Sequence, residues 1–252
     1  MPRLMPQSDE DVINIPGPGT FTFSAKKIDN LGATEYTLVA IVVDISGSVM
    51  NFAGSLLDCV KSIIESCKAS DRSENLLIRF LTFNDDITEV HGFRDLGSIN
   101  PDDYEELLPT GFTALFDATY DGIGSILEYS RRLTKEDYDI NGAIYIITDG
   151  MNNRGMTTPK MIKDKLDGAI GKEEIESLVS ILVGLHDPQV SWEREVQNAL
   201  STFQVEAGLT EFIDIGDATP EKLAKLAGYV SESISSQSNV LGSGAPSQVL
   251  QF

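Results

Sequence analysis

Residues 41–48 have the sequence IVVDISGS, in which an apolar run ends at an aspartate and a polar, glycine-containing turn follows at once. Such a run is typical of a strand that is covered on both faces, as in a parallel sheet. Ligands of open α/β sheets bind where these strands end. Because Asp44, Ser46 and Ser48 alternate along the turn, their oxygens can converge on one point. Oxygen ligands suit a hard divalent cation, Mg²⁺ first among them, so this stretch is the predicted functional centre.

Strands and helices alternate along the rest of the chain. Apolar runs predict core strands at 35–44, 76–83, 142–150, 177–184 and 211–215, and helical periodicity predicts helices at 51–68, 114–133, 158–170, 192–203 and 219–234. A short strand at 87–91 returns beside 76–83 as a hairpin at the sheet edge, and the alternating residues 20–24 are a further candidate edge strand. The predicted fold class is α/β, with a doubly wound, mostly parallel central sheet, helices on both faces and one short antiparallel edge strand.

The chain of 252 residues is expected to form one domain between two irregular ends. Residues 1–18 contain four prolines and predict a flexible N-terminal arm. Residues 19–234 form the predicted domain. Residues 235–252 are rich in Ser, Gly and Gln and predict a disordered C-terminal tail.

Charge and cysteine content limit the expected partners and location. The 19 Lys and Arg residues against 39 Asp and Glu residues give a net charge of −20, which repels nucleic acids and anionic membrane surfaces. The N-terminus lacks the apolar core of a signal peptide, and no run approaches the roughly 18 apolar residues of a membrane helix. Cys59 and Cys67 lie about 12 Å apart on one predicted helix, which excludes a disulfide between them. We therefore expect a cytoplasmic protein that binds neither nucleic acid nor membrane.

Two more oxygen-bearing residues are expected at the same sheet edge. Thr113 lies in the sequence GFTAL at 111–115, directly before a long predicted helix. Asp149 lies in IITDG at 146–150 and closes an apolar strand, where a carboxylate is costly without a partner. If the two strands that end in aspartate are neighbours, all these oxygens meet above the sheet.

Each of these residues also has an ordinary structural explanation. Asp44, Ser46 or Ser48 is a good N-cap for the helix that follows, and Thr113 is a good N-cap for its own helix. Asp149 before a glycine is compatible with simple turn chemistry. The two histidines of the chain stand isolated, without the spacing of metal ligands.

The five residues, in this order, resemble the metal-ion-dependent adhesion site (MIDAS) of von Willebrand factor A (vWA) domains. That motif is Asp-x-Ser-x-Ser with a distant Thr and a distant Asp, and it is matched here by Asp44, Ser46, Ser48, Thr113 and Asp149. The resemblance covers roughly residues 35–234 and is closest in character to stand-alone bacterial forms associated with tellurite resistance and MoxR-type AAA+ ATPases. It implies a Rossmann-like vWA fold, a bound Mg²⁺ with Ca²⁺ or Mn²⁺ as alternatives, and a partner protein that supplies a Glu or Asp to the metal.

The function expected from these features is a magnesium-dependent protein-binding adaptor, in a cytosolic stress-response or AAA+-associated assembly. The sequence contains no Gly-x-Ser-x-Gly elbow and no phosphate-binding Gly-x-x-x-x-Gly-Lys-Ser/Thr loop, so no enzyme activity is expected. The alternative is a magnesium-dependent phosphoryl hydrolase with Asp44 as nucleophile. Hydrolases of the haloacid dehalogenase type place a second Asp two residues later, where this chain has Ser46.

Overall fold

One mixed sheet lies between two layers of helices. The computed structural model describes residues 8–19, 21–170, 175–186 and 193–240, together with 250 and 252. Within these residues the sheet has eight strands: β1 (Glu10–Ile15), β2 (Phe21–Lys26), β3 (Glu35–Asp44), β4 (Leu76–Phe83), β5 (Ile87–Asp95), β6 (Asp139–Thr148), β7 (Ser177–His186) and β8 (Glu211–Asp217). The longer helices of the same residues are α1 (Ala53–Lys68), α2 (Leu115–Thr134), α3 (Pro159–Ile170), α4 (Glu193–Ala207) and α5 (Pro220–Val240).

The strand order is β1-β2-β5-β4-β3-β6-β7-β8. The five strands β4, β3, β6, β7 and β8 are parallel, whereas β5 is antiparallel to β4 and β1 is antiparallel to β2. Strand β3 is central and pairs with β6 in a register that sets Val43 beside Ile147. The two strands that precede Asp44 and Asp149 are therefore neighbours and end at the same edge of the sheet.

Both faces of β3 are buried, which explains its continuous apolar run. Val39, Ile41 and Val43 pack with α1 and α5 on one face. The alternating residues on the other face pack with α2, α3 and α4. The predicted doubly wound α/β fold with helices on both faces is thus confirmed.

The edge of the sheet differs from the prediction. Strand β5 is longer than the expected 87–91 and lies inside the sheet, because β2 pairs with it in parallel and β1 pairs with β2. The prediction of a flexible arm over 1–18 is wrong for Glu10–Ile15, which form β1. Ile13 and Ile15 are buried between exposed neighbours, which is the two-residue alternation of a strand. The prolines of the same segment made this pattern hard to recognise in the sequence.

The last helix is also longer than predicted. α5 continues past residue 234 to Val240, so the tail does not begin at 235. Its final turns contain serines and a glutamine that lack an apolar pattern, yet Gln237 and Ser238 are fully buried. The backbone of these turns is held by side chains of other elements, since Asn141 donates to the Gln237 carbonyl and Arg72 to the Ser238 carbonyl. The rest of the predicted tail lies outside the described residues, apart from Leu250 and Phe252, which pack against the α1/α5 side.

None of the helices among the described residues has the length and apolar character needed to cross a membrane.

Candidate metal centre

Asp44 is the most buried member of the candidate site. Its side chain closes β3 and is 0% exposed. Oδ1 accepts a hydrogen bond from the Ser46 backbone N–H at 2.7 Å, and Oδ2 accepts one from the Thr148 hydroxyl at 2.5 Å. Burial raises the pKa of Asp44 from 3.8 to about 6, and the hydrogen bonds from Thr148 and Ser46 oppose that rise. Among the described residues no basic side chain pairs with this carboxylate, so it is a buried anion that a bound cation would compensate.

A chain of hydrogen bonds joins the next three residues. The Ser46 and Ser48 hydroxyl oxygens are 3.1 Å apart, and the Ser48 hydroxyl donates to Asp149 Oδ1 at 2.8 Å. Ser46 is buried, Asp149 is half-buried and Ser48 is exposed. The oxygens thus form a continuous line from the end of the core to the protein surface.

Thr113 joins the site from the loop before α2. A methyl group added to Gly150 would lie 3.4 Å from Thr113 Oγ1 and 4.0 Å from Asp44 Oδ2, so both side chains face the same space beside Gly150. Thr113 is itself 4% exposed. Its backbone is held by a reciprocal pair of bonds: Thr113 N–H donates to Asn153 Oδ1 at 2.8 Å, and Asn153 N–H donates to the Thr113 carbonyl at 3.0 Å. The structure therefore brings all five predicted residues, Asp44, Ser46, Ser48, Thr113 and Asp149, to one place.

Helix capping does not account for these hydroxyls. The N-cap of α1 is Phe52 and that of α2 is Ala114, and neither has a side-chain capping bond. Ser46 is the N-cap of a 3₁₀ turn, Gly47–Asn51, and its side chain makes no capping bond either. The capping explanation is thus wrong for the helices that follow the two loops, and the hydroxyl oxygens retain lone pairs for a ligand.

Three further side chains fix the loops of the site, and sequence reasoning missed two of them, Asp85 and Asn153. Asp117 accepts hydrogen bonds from the Met156 and Thr157 N–H groups, which anchors the β6–α3 loop to α2. Asp85 accepts a hydrogen bond from the Phe112 N–H at 2.9 Å and pairs with Arg154. The Phe112 hydrogen bond is the main reason that the pKa of Asp85 is lowered.

Thr148 was the one additional residue with a local signal, because it directly precedes Asp149. The contacts of Asp85, Asp117 and Asn153 join segments 27 to 40 residues apart, and a pattern within one segment does not reveal them.

The donor set is two carboxylates and three hydroxyls. Among the described residues, no group of three or more His, Cys, Asp or Glu side chains is placed to hold a metal. His91 contacts the Gly92 carbonyl and the Tyr104 hydroxyl, and His186 pairs with Asp214, so both lie in other networks. The residues present fit a hard cation such as Mg²⁺, which accepts oxygen ligands and keeps waters, better than a cation that prefers thiolate or imidazole.

No protein-family model and no curated protein matches the sequence. Solved structures do match. The D319A mutant of the PilB minor pilin from Streptococcus sanguinis has a TM-score of 0.58 at 15% identity, over 88% of this chain and 66% of that one. The pilus adhesin SpaC from Lactobacillus rhamnosus GG, in its open conformation, has a TM-score of 0.54 at 11% identity, over 90% and 33%.

A third match is proximal thread matrix protein 1 from the mussel byssus, whose structure is described as having a zinc-occupied MIDAS motif. Its TM-score is 0.51 at 17% identity, over 81% of this chain and 47% of that one. The chain spans no more than 66% of the length of any of these three proteins. At such identities the likeness shows a shared fold and nothing finer.

Proposed function

We propose that this protein is a magnesium-dependent protein-binding module, an adaptor that holds one divalent cation and presents it to an acidic residue of a partner. Asp44, Ser46, Ser48, Thr113 and Asp149 would hold the cation, directly or through water. The observation that carries the proposal is the fully buried Asp44 carboxylate, which has no basic partner within the described part of the chain and lies beside a line of hydroxyl oxygens that reaches the surface.

The expected ligand is a carboxylate for an electrostatic reason. The three hydroxyl ligands are neutral, and the two carboxylates also accept hydrogen bonds from protein donors. The positive charge of Mg²⁺ is therefore only partly neutralised by these five residues. Mg²⁺ has six coordination positions and normally keeps waters in several of them. A Glu or Asp of the partner that replaces one such water adds a charge-assisted contact at the exposed end of the site, beside Ser48.

The similar structures support this function class without identifying a partner. A pilus adhesin and a byssus thread protein with a zinc-occupied MIDAS motif share the fold. Ca²⁺ or Mn²⁺ is an alternative to Mg²⁺ for the same oxygen ligands. We place the assembly in the cytoplasm, with an AAA+ ATPase or a stress-response protein as the partner, on the sequence arguments given above.

A binding role is favoured over phosphoryl hydrolysis by the residue two positions after Asp44. Hydrolases of the haloacid dehalogenase type place a second Asp there, and this chain has Ser46. The general acid that the second Asp would supply is therefore missing, since a serine hydroxyl does not replace a carboxyl group in that role.

The test is capture of partner proteins from native cell extract by the immobilised protein, in Mg²⁺ and in EDTA. The variants are Ser48→Ala in the site and Ser98→Ala, an exposed serine of another loop, as the matched control. We expect the wild type and Ser98→Ala to retain the same protein in Mg²⁺ alone, and Ser48→Ala to retain much less. Retention that is equal with and without EDTA, or equal for the two variants, would contradict the proposal.

A further inference from the structure

Large apolar side chains are exposed on the loops that carry the candidate metal centre or are bonded to it. Among the described residues, six large hydrophobic side chains are strongly exposed, and four of these lie in loops at this edge of the sheet. We call these four the apolar collar: Met50 (64% exposed), Leu108 (65%), Phe112 (55%) and Met156 (68%). The other two, Val12 and Val205, lie on β1 and α4.

The loops of the collar are fixed to the loops of the site. Met50 belongs to the same 3₁₀ turn as Ser48. The loop of Leu108 and Phe112 is bonded to the end of β3, since Thr110 N–H donates to the Ile45 carbonyl at 2.9 Å.

Met156 is held by Asp117, one helical turn beyond Thr113. The four side chains of the apolar collar are therefore exposed to solvent, although hydrogen bonds hold the backbone of their loops in place. Exposed apolar groups gathered around a polar site mark an interaction surface.

The charges nearby restrict what can bind there. Arg154 is the only Lys or Arg within residues 45–51, 84–86, 108–117 and 149–158. Its guanidinium lies over the Phe112 ring, 5.0 Å from the centroid, and pairs with Asp85 at 3.1 Å. The same segments contain Asp85, Asp86, Asp117 and Asp149, so any partner acid that does not reach the cation faces a negative surface.

We infer that the partner segment contains one Glu or Asp with an aromatic residue beside it, in a stretch without further acidic residues. The single carboxylate binds the cation, and the aromatic ring packs on Phe112 and Met156. Aromatic rings pair favourably with both an aromatic side chain and a methionine sulfur. This inference rests on the proposed function and adds the chemistry of the partner. The metal selects the Glu or Asp of the partner, and the apolar collar selects the aromatic residue beside it.

The test is selection of a random linear peptide library displayed on phage, against the immobilised protein in Mg²⁺, with elution by EDTA. Against the wild type we expect peptides with one acidic residue and an adjacent aromatic residue. Against Phe112→Ser/Met156→Ser we expect the acidic residue to stay enriched and the aromatic preference to disappear. The matched control Val12→Ser/Val205→Ser removes exposed apolar groups elsewhere and should give the wild-type result.

A single synthetic peptide from the wild-type selection then measures the effect. Its Kd should rise at least about tenfold for Phe112→Ser/Met156→Ser, the loss expected for one buried apolar contact. Enrichment of acidic residues without aromatic neighbours would overturn this inference and leave the proposed function standing. No EDTA-elutable peptide at all would overturn both.

Two further outcomes would also overturn the inference. The first is enrichment of aromatic peptides that survive EDTA, because the collar would then bind without the metal. The second is a dimer in sedimentation that Phe112→Ser/Met156→Ser abolishes, because a second copy of the chain would then occupy the collar.

Discussion

At the scale of single residues, the site depends on one carboxylate placed where water cannot solvate it. Asp44 is buried at the end of an apolar strand, and in the described part of the chain its hydrogen-bond donors are the Thr148 hydroxyl and the Ser46 N–H. Such a residue lowers stability unless a cation binds, so binding and folding are coupled. The sequence reveals this residue well, because an aspartate directly after six apolar residues, 38–43, is unusual.

The first prediction follows from the loss of stability that the buried Asp44 charge causes. Asp44→Asn removes the buried charge and keeps the side-chain shape. In EDTA at neutral pH we expect this variant to be more stable than the wild type, by a few kcal/mol at most. In Mg²⁺ the wild type should gain stability and the variant should not. Chemical denaturation in the two buffers measures both effects, and an equal gain for the two proteins would count against a cation at Asp44.

His91 gives a second prediction, on pH. Burial lowers its pKa from 6.5 to about 4, the Nδ1–H bonds to the Gly92 carbonyl, and Nε2 accepts from the Tyr104 hydroxyl at 2.8 Å. Because the unfolded chain binds a proton below pH 6.5 and the folded chain does not, stability is full above pH 6.5. It falls as the pH is lowered from 6.5 to about 4, by about 3 kcal/mol.

Denaturation as a function of pH tests this, in wild type and in His91→Gln. Both proteins should carry Asp44→Asn, because the raised pKa of Asp44 contributes with the opposite sign, losing stability as the pH rises to about 6. The His91→Gln protein should lack most of the acid-side loss. An unchanged pH profile would show that His91 does not titrate on unfolding.

At the scale of elements, the central strands, the edge strand β8 and the candidate strand at 20–24 were predictable, whereas β1 and the end of α5 were not. β3 and β6 can be recognised in the sequence because each is a continuous apolar run, which matches burial on both faces of the sheet. β1 and the end of α5 depend on contacts with residues far along the chain: Arg94 pairs with Glu10 of β1, and Asn141 donates to the Gln237 carbonyl of α5. Local sequence patterns carry no information on such contacts. The polar composition near both termini then predicts irregular structure where the chain forms a strand and a helix.

The junction between β2 and β5 supplies a third prediction. These strands meet at the pair Ala25 and Phe93, and a Cβ added to Gly92 would lie 1.9 Å from the Ser24 carbonyl oxygen. Backbone atoms cannot move aside there, so Gly92→Ala should destabilise the protein by several kcal/mol. The matched control is Gly97→Ala, where nothing lies within 4 Å of an added Cβ. Similar thermal midpoints for the two variants would contradict the close approach of β2 to β5.

At the scale of the whole molecule, charge and topology act together. Parallel pairing of β3 with β6 brings two carboxylates to one sheet edge in a protein of net charge −20. The partner surface around the single acidic residue should therefore be neutral or basic. The five-residue pattern allowed the site to be located from sequence, whereas the apolar collar depends on exposure, which only the folded chain shows.

The fourth prediction concerns the rate of association with the captured partner. Attraction between an acidic molecule and a basic surface weakens as salt screens it, so the association rate should fall as ionic strength rises if the partner surface is basic and stay nearly constant if it is neutral. Stopped-flow mixing at a series of salt concentrations with constant Mg²⁺ measures this rate. An association rate that increases with salt would indicate a partner surface that is acidic.

The most direct test of the central claim is calorimetric titration of Mg²⁺ into the metal-free protein. We expect one binding site in the wild type, loss of that site in Asp149→Asn, and wild-type binding in Asp86→Asn, which removes an exposed carboxylate of a nearby turn. Saturable binding that needs Asp149 and not Asp86 would place the cation among the five residues. No saturable binding in the wild type, or equal binding in both variants, would contradict a metal centre at the end of β3 and β6.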